Sequence, residues 1–421
     1  MAAGVAKHEL GHRVRTGLAS AQEKIDASEL RTRIEQAKIL AESLGRLKGA
    51  FMKAGQMLSI DASDFLPPEA VEIMAKLQGA AEPVDFAVLR EVLVAELGPA
   101  LGRLEDLDPT PAASASIGQV HRARVDGERV AVKIQYPGIA ESIDSDMAIL
   151  AKVAGTLSGV ARRDIDLSGT FEELRSLLHF EADYVRERAF MDRFRALVAD
   201  DPRWVVPRSH AELSTGRVLT MEWAEGESLH AWIRGAPDAA ARTALARSIL
   251  DLYCREFFVW GVVQTDPNFG NFLVQRDGTL VLLDFGATLE YEPGFRARYK
   301  ELLRVVASGR RDEMIATGVD QGLIDGRESD ETKLLFAEML VSAVEPFDLS
   351  RQPFVFRDED YARRSSETVQ RFVRSLRYSP PPRQLLFLHR KLGGIFQLLK
   401  RLDVTLDLAP YWEQMIARDA G

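Results

Sequence analysis

The sequence has only one cysteine, no long apolar run and no excess of basic residues. The single cysteine, Cys254, excludes a disulfide within the chain. Its apolar, helix-like surroundings (252–258) predict a buried thiol rather than a nucleophile. No apolar run reaches the roughly 18 residues that span a bilayer. The formal net charge of −9 offers no basic face, so we expect no nucleic-acid partner.

The N-terminal segment also lacks the apolar stretch of a signal peptide and contains acidic residues. We therefore expect a protein that is made and kept in a reducing cytoplasm. The 421 residues suffice for about two or three structural units.

One metal-ligand motif near the start of the chain is weak. His8-Glu-Leu-Gly-His12 fits the pattern H-E-x-x-H. A zinc site would also need a packed helix and a third ligand. The longer zinc-protease pattern requires glycine where this chain has Arg15. We therefore do not predict zinc.

The most informative stretch runs from Gln264 to Gly286. Two short apolar runs, Phe272–Gln275 and Leu280–Leu283, flank the turn pair Asp277-Gly278. This pattern predicts a β-hairpin. Such a hairpin brings the loop before it and the loop after it to the same end of a rigid ribbon.

The two loops carry the oxygen ligands of a kinase-type site. Asp266 and Asn271 have the spacing of the catalytic Asp and the metal-binding Asn of protein kinases, and Asp284-Phe-Gly286 matches their D-F-G element. Hard oxygen ligands suit Mg²⁺ bound with a polyphosphate. We predict that Asn271 and Asp284 bind Mg²⁺ and that Asp266 orients or deprotonates the nucleophile.

A strand–turn–strand pattern upstream supplies a phosphate-binding lysine. The second strand, 129–134, carries Lys133, which can reach the α- and β-phosphates of ATP. Before the first strand, Ala113, Ser114, Ala115 and Ser116 stand where kinases have a glycine-rich loop. Their Cβ atoms restrict how closely this loop can approach a phosphate.

A kinase-like site also needs a helix glutamate that pairs with this lysine. A helical pattern over Leu174–Phe194 contains three acidic residues, and we predict that Glu187 is the partner of Lys133. Glu181 and Asp183 are either surface acids or further ligands of the metal or the lysine. The intervening residues 137–168 predict a helical insertion.

The segment after the next strands predicts the place of the adenine. Residues 204–206 and 217–222 form two strand patterns, and the chain then enters an all-helical half. At this junction the backbone of Glu222, Trp223 and Ala224 is expected to contact the adenine.

Two segments of the chain, the N-terminal part and the final apolar segment, each allow two interpretations. Apolar residues recur every three or four positions from Leu30 to Phe51, which predicts an amphipathic helix. Lys53 and Gln56 share one face at its end, either as solvated side chains or as site residues. The apolar stripe from Leu385 to Leu399 predicts core, with a membrane-facing patch as the alternative.

Together these motifs resemble the UbiB family of atypical kinases, also called aarF-domain kinases, over roughly residues 40–400. The resemblance rests on Lys53-Ala-Gly-Gln56, Ala113-Ser-Ala-Ser-Ile-Gly-Gln-Val-His121, Glu181-Ala-Asp183, Gln264-Thr-Asp-Pro-Asn268 and Leu283-Asp-Phe-Gly-Ala287. The Gln-Thr-Asp-Pro-Asn form is most similar to the mitochondrial coenzyme Q kinases and their bacterial relatives.

The resemblance implies a fold and a domain plan. It implies an α+β, bilobal protein-kinase-like fold with a helical N-terminal extension (1–105). A small lobe (106–222, with the insertion) and a mostly helical large lobe (223–421) follow. It also implies that Lys53 and Gln56 act with Glu181 and Asp183 as regulatory residues over the site, and that the alanine-rich loop restrains the nucleotide.

The implied activity is that of an ATPase that uses ATP and Mg²⁺ and supports ubiquinone biosynthesis at a membrane surface. Its implied partners are quinone-biosynthesis enzymes and an anionic lipid membrane. No A-P-E element follows Gly286, which disfavours a protein substrate. A small-molecule or lipid phosphotransferase and a nucleotide-binding scaffold are the alternatives. The oligomeric state stays open.

Overall fold

The structure is a computed structural model that describes residues 84–115, 117–158, 168–266, 268–377 and 383–417. The predictions for Lys53, Gln56, Ser116 and the N-terminal helix lie outside these residues. Within them, two compact units can be described separately. One contains the described part of 141–175, and the other contains Pro83–Ala140 and Ser176–Gly421.

Twelve α-helices lie in the described part of the chain. They are α1 (Phe86–Leu97), α2 (Ile139–Ser158), α3 (Ser168–Glu181), α4 (Tyr184–Leu197), α5 (Leu229–Arg234), α6 (Ala239–Cys254), α7 (Pro293–Ala307), α8 (Arg311–Asp320), α9 (Asp330–Val344), α10 (Glu359–Ser375), α11 (Arg383–Leu402) and α12 (Ala409–Ile416). A π-helical turn, Arg255–Trp260, continues α6.

Within the described ranges the strands are short and form four separate sheets. They are β1 (Ala113–Ser114), β2 (Gly118–Val125), β3 (Glu128–Gln135), β4 (Trp204–Val205), β5 (Val218–Glu222), β6 (Glu227–Ser228), β7 (Val262–Gln264), β8 (Phe272–Val274), β9 (Leu280–Leu282), β10 (Thr288–Glu290), β11 (Phe354–Val355) and β12 (Thr405–Leu406). The strand orders are β1-β2-β3-β5, β4-β9-β8-β6, β7-β10 and β11-β12.

The antiparallel sheet β1-β2-β3-β5 is the platform of the small lobe. Its central strand β3 is buried from Val130 to Gln135, because α1 packs against it and β2 and β5 flank it. A strand that is covered in this way is usually a continuous apolar run in the sequence. Any charged residue within it needs a partner. Lys133 is the charged residue in this run, paired with Leu219 on β5 and Val120 on β2.

The helical pattern over Leu174–Phe194 belongs to two helices in the structure. Helix α3 ends at Glu181 and α4 begins at Tyr184. The Asp183 side chain accepts a hydrogen bond from Arg186 N at 3.0 Å and caps α4. A short acidic side chain at this position satisfies an N–H that would otherwise lack a partner.

The residues from 141 to 175 include most of α2 and the first half of α3. The guanidinium of Arg175 joins these helices, since it donates to Asp144 Oδ1 at 2.7 Å and lies 3.2 Å from Glu172 Oε1. All three side chains are exposed enough for the ion pairs to add little stability.

The predicted hairpin is present in the large lobe. Strands β8 and β9 pair antiparallel, with Phe272 opposite Leu282. Gly278 closes the turn in the left-handed region with φ 89°, a conformation that glycine adopts without steric cost. After Gly286, β10 pairs with β7, and α7 begins at Pro293.

Two apolar clusters can be described in the residues that the structure covers. One runs from the small-lobe sheet through α4 and α6 to α11, where Leu388, Ile395, Leu398 and Leu399 are buried. The other joins α7, α8, α9 and α10 around Met314, Phe336 and Phe372. The stripe on α11 is therefore core at these positions. Among the described residues, no helix is both long and apolar enough to cross a membrane.

Cys254 lies at the end of α6 and is 1% exposed. Burial raises the pKa of its thiol to about 12. The thiolate is the nucleophilic form of cysteine, so this thiol is structural, as the sequence predicts.

Gly118 is a residue whose replacement tests the small-lobe packing. A Cβ there would lie 2.3 Å from the carbonyl oxygen of Ile134 on β3. We expect Gly118→Ala to lower the free energy of unfolding by about 1–3 kcal/mol because backbone must move. The matched control is Gly102→Ala, where a Cβ meets nothing within 4 Å. Urea unfolding measures both, and equal stability of the two variants would contradict the close packing of β2 on β3.

Candidate active site

A buried ion-pair network lies where the small lobe meets the D-F-G segment. Lys133 Nζ lies 2.7 Å from Glu187 Oε1 and 2.9 Å from Oε2. The same ammonium donates to Asp284 Oδ2 at 3.2 Å. The side chains of Lys133 and Glu187 are 9% and 1% exposed, whereas that of Asp284 is 30% exposed. The predicted Lys133–Glu187 pairing is therefore present, with Asp284 as a second, more accessible partner.

The charges of these groups depend on one another. Burial lowers the pKa of Lys133, but the carboxylates of Asp284 and Glu187 outweigh it and hold this pKa well above its usual value. Burial raises the pKa of the Glu187 carboxyl, and the neighbouring Lys133 ammonium opposes this rise. The Lys133 ammonium, which lies beside the partly exposed Asp284 carboxylate, is therefore favoured in its charged form, the form that pairs with a phosphate oxygen.

The hairpin β8–β9 positions the other polar ligands. Leu283 N donates to Asn271 O at 3.0 Å, so Asn271 lies beside the start of the D-F-G segment. Its amide Nδ2 donates to Asp266 Oδ2 at 3.1 Å. Asp284 Oδ1 accepts from Gly286 N at 3.0 Å, which fixes the orientation of its carboxylate. The hairpin thus brings the Asn271 side chain to Asp266 and places the Asn271 backbone beside Leu283, the residue before Asp284.

These ligands fit Mg²⁺ shared with a polyphosphate better than a cation held by protein alone. Across the described ranges, no group of three His, Cys, Asp or Glu side chains could hold a metal ion. Mg²⁺ usually keeps several waters and takes one or two carboxylates plus substrate phosphates. Asp284 and Asn271 match that small set of oxygen ligands.

Part of the segment predicted as a small-residue loop is a strand, since Ala113 and Ser114 form β1. Ala113 pairs with Val120 and Ser114 with Gln119. Ala115 N donates to Gly118 O at 2.9 Å. This amide is engaged within the turn, so a nucleotide phosphate would have to meet other groups of the loop.

The linker after β5 uses several of its groups within the fold. The Glu222 carboxylate accepts from Arg208 N at 2.9 Å and from its Nε at 2.8 Å. Trp223 N donates to Arg129 O at 3.0 Å, and the Arg122 guanidinium lies 4.9 Å from the Trp223 ring centroid. An adenine would therefore use other backbone groups of 222–224.

Glu181 and Asp183 lie in different environments. Glu181 is 6% exposed and approaches the D-F-G segment closely, since a Cβ on Gly286 would lie 3.4 Å from its Cα and Cγ. Asp183 is exposed and caps α4. A joint role with Lys53 and Gln56 stays a prediction, because those two residues lie outside the described part of the chain.

Three basic residues at the site were not singled out from the sequence. Arg186 on α4 donates to carbonyls of the segment after Asp284. On α11, the side chain of Arg390 lies 3.7 Å from Asp266, and Lys391 donates to Gln264 at 3.1 Å. Lys391 also forms a buried ion pair with Glu256 at 3.2 Å. The sequence signal that could have identified Arg390 and Lys391 is their position inside the apolar stripe of α11, because buried charged side chains need partners.

Comparison with known proteins places this geometry in a family. The model of the ABC1 atypical kinase-like domain matches residues 76–317. The chain is 33% identical over 385 residues to the mitochondrial atypical kinase COQ8 of Saccharomyces cerevisiae, covering 90% of this chain and 75% of that protein. It is also 33% identical over 378 residues to the mitochondrial atypical kinase coq-8 of Caenorhabditis elegans, covering 87% of this chain and about half (49%) of the nematode protein.

A solved structure is similar over nearly the whole chain. This is the complex of Rv3197 with erythromycin from Mycobacterium tuberculosis, at 28% identity and a TM-score of 0.60. The match covers 94% of this chain and 98% of that chain. The fold is therefore kinase-like, with mixed α and β structure, as predicted. The chain belongs to the ABC1 family of atypical kinases, the UbiB or aarF-domain family.

The ion pair predicts a clear effect of Glu187→Gln. Gln keeps the shape but leaves Lys133 without its buried countercharge. Because breaking a buried pair is strongly destabilising, we expect the free energy of unfolding to fall by about 3–5 kcal/mol. The control is Asp200→Asn in the exposed turn after α4, whose free energy of unfolding should equal that of the wild type. Denaturant unfolding measures this, and wild-type stability of Glu187→Gln would contradict the buried pair.

Proposed function

We propose that this chain is a Mg²⁺-dependent ATPase that supports ubiquinone biosynthesis at a membrane surface. The observation that carries the proposal is the position of Lys133, held by buried Glu187 and also in contact with the accessible Asp284. Kinase-like sites use such a lysine for the phosphates and the D-F-G aspartate for the metal. Membership of an atypical kinase family supports the same chemistry.

In this proposal the residues act by positioning and by charge. Lys133 donates to oxygens of the non-transferred phosphates, and Glu187 holds its ammonium in place. Asp284 and Asn271 would hold Mg²⁺, which supplies neutralisation of the phosphate charge when it is bound. Because the protein supplies few ligands, the remaining coordination positions of Mg²⁺ are available to phosphate oxygens and water.

Asp266 acts on the nucleophile. One of its oxygens accepts the Asn271 amide, and the other lies 3.7 Å from Arg390, so the carboxylate has a fixed orientation. During hydrolysis the water oxygen bonds to the γ-phosphorus as the bond to the β,γ-bridging oxygen breaks. The attacking water gives its proton to Asp266, and ADP leaves with the bridging oxygen.

The short path after Gly286 supports water or a small acceptor over a protein substrate. Strand β10 pairs with β7, and α7 follows at Pro293. Kinases that phosphorylate proteins place a long activation segment with A-P-E here. A lipid or small-molecule phosphotransferase is the second candidate because the same geometry admits it, and a nucleotide-binding scaffold is the third.

The biological setting in the proposal comes from the relatives. The yeast and nematode proteins are named COQ8 and coq-8, and the family resemblance associates such kinases with ubiquinone. We propose quinone-biosynthesis enzymes and an anionic membrane as partners, with the chain in the bacterial cytoplasm or on the inner face of the cell membrane.

The fate of the γ-phosphate tests the proposal. The protein is incubated with γ-labelled Mg-ATP, anionic liposomes and a lipid extract, and free phosphate, lipid and protein are separated. We expect label in free phosphate, and a loss of at least about 100-fold in Asp284→Asn because the metal ligand is lost. Asp200→Asn should release phosphate at the wild-type rate.

The other outcomes select between the candidates. Label on a lipid or small molecule that depends on Asp284 would replace the ATPase proposal with a phosphotransferase. Absence of turnover together with nucleotide binding would leave the scaffold. Equal release by wild type and Asp284→Asn would contradict the assignment of the site.

A further inference from the structure

Arg186 makes a two-point contact with the D-F-G segment. It lies in the first turn of α4, next to Glu187. Its Nη1 donates to Gly286 O at 2.9 Å, and its Nη2 donates to Thr288 O. The Arg186 guanidinium therefore contacts both ends of the segment 286–288, which begins two residues after Asp284.

The Arg186 side chain is itself held in place. Its guanidinium lies 4.1 Å from the ring centroid of Phe180 and 4.6 Å from that of Phe190. Its backbone N–H donates to the Asp183 carboxylate, which fixes the first turn of α4. Cation–π contacts and a capped helix end restrict the rotamers of this arginine.

Helix α4 consequently contacts both halves of the site. Glu187 holds Lys133, and Arg186 holds the backbone after Asp284. Two turns further along α4, Phe194 packs on Phe285 of the D-F-G element, with 4.9 Å between the ring centroids. The helix glutamate and the D-F-G aspartate are thus positioned by one rigid element.

We propose that Arg186 is a positioning residue that sets the Asp284 carboxylate for Mg²⁺-nucleotide binding. In regulated protein kinases, phosphorylation of the activation segment controls whether the helix glutamate and the D-F-G aspartate are both in place. Here the intramolecular contacts of Arg186 keep them assembled without a modification. The inference rests on the proposed function, since it assigns how that same site is organised.

The chemistry of arginine explains why this residue type is needed. Its planar guanidinium presents separate N–H groups that reach two carbonyls at once, whereas a lysine ammonium is a point charge on a flexible chain. Arg186→Lys should therefore keep the charge near the rings but lose the two-point geometry. Arg186→Met removes both.

The test measures ADP affinity by calorimetry on the full chain, with excess Mg²⁺ and with EDTA. We expect the Mg²⁺-dependent gain in affinity to fall by at least about fivefold in Arg186→Met and by less in Arg186→Lys. Affinity in EDTA should stay within about twofold of the wild type, because Lys133 and Glu187 remain. The control is Arg188→Met on the same helix, whose guanidinium pairs with Asp192 at 3.5 Å.

Two results would overturn the inference alone. An unchanged Mg²⁺-dependent gain in Arg186→Met would show that Arg186 does not set Asp284. If Arg186→Met lost the same factor of ADP affinity with Mg²⁺ and with EDTA, Arg186 would have only a general structural role. If Arg186→Met does not fold, Arg186→Lys decides by the same comparison. A wild-type chain without any Mg²⁺-dependent gain would instead overturn the proposed function on which the inference rests.

Discussion

The buried ion pair between Lys133 and Glu187 is the interaction on which the rest of the structure depends. Burying two charges costs several kcal/mol per ion unless geometry and hydrogen bonds offset it. Lys133 Nζ offsets this cost with two short contacts to the Glu187 carboxylate and a third contact to Asp284. Strand β3 and helix α4 must therefore stay packed together, and the partly exposed Asp284 becomes part of the same electrostatic unit.

The large lobe holds the other side of the site by similar means. Lys391 on α11 connects Gln264 at the end of β7 with Glu256 on the π-helical turn, and all three side chains are buried. Gln264 lies two residues before Asp266. Strand β7 also pairs with β10, which follows the D-F-G element. The segments before and after the hairpin are thus fixed by buried polar contacts, as preorganised catalysis requires.

The parts of the fold with local signals could be predicted from the sequence. The hairpin around Gly278, the lysine on β3 and its pairing with Glu187 all follow from spacing and residue type. The break between α3 and α4 was not predicted because Glu181-Ala-Asp183 lies within a continuous helical pattern, where the capping Asp183 resembles an acidic residue on the face of a longer helix. Arg186 was missed because its partners, Gly286 and Thr288, lie about a hundred residues away in the sequence, and a single sequence gives no signal of such contacts.

The most direct measurement is a crystal structure of the protein with Mg²⁺ and a non-hydrolysable ATP analogue. We predict phosphate oxygens at hydrogen-bond distance from Lys133 Nζ, a metal ion bound by Asp284 and Asn271, and an unbroken Lys133–Glu187 pair. A nucleotide bound elsewhere, or a metal ion that neither Asp284 nor Asn271 contacts, would contradict this prediction.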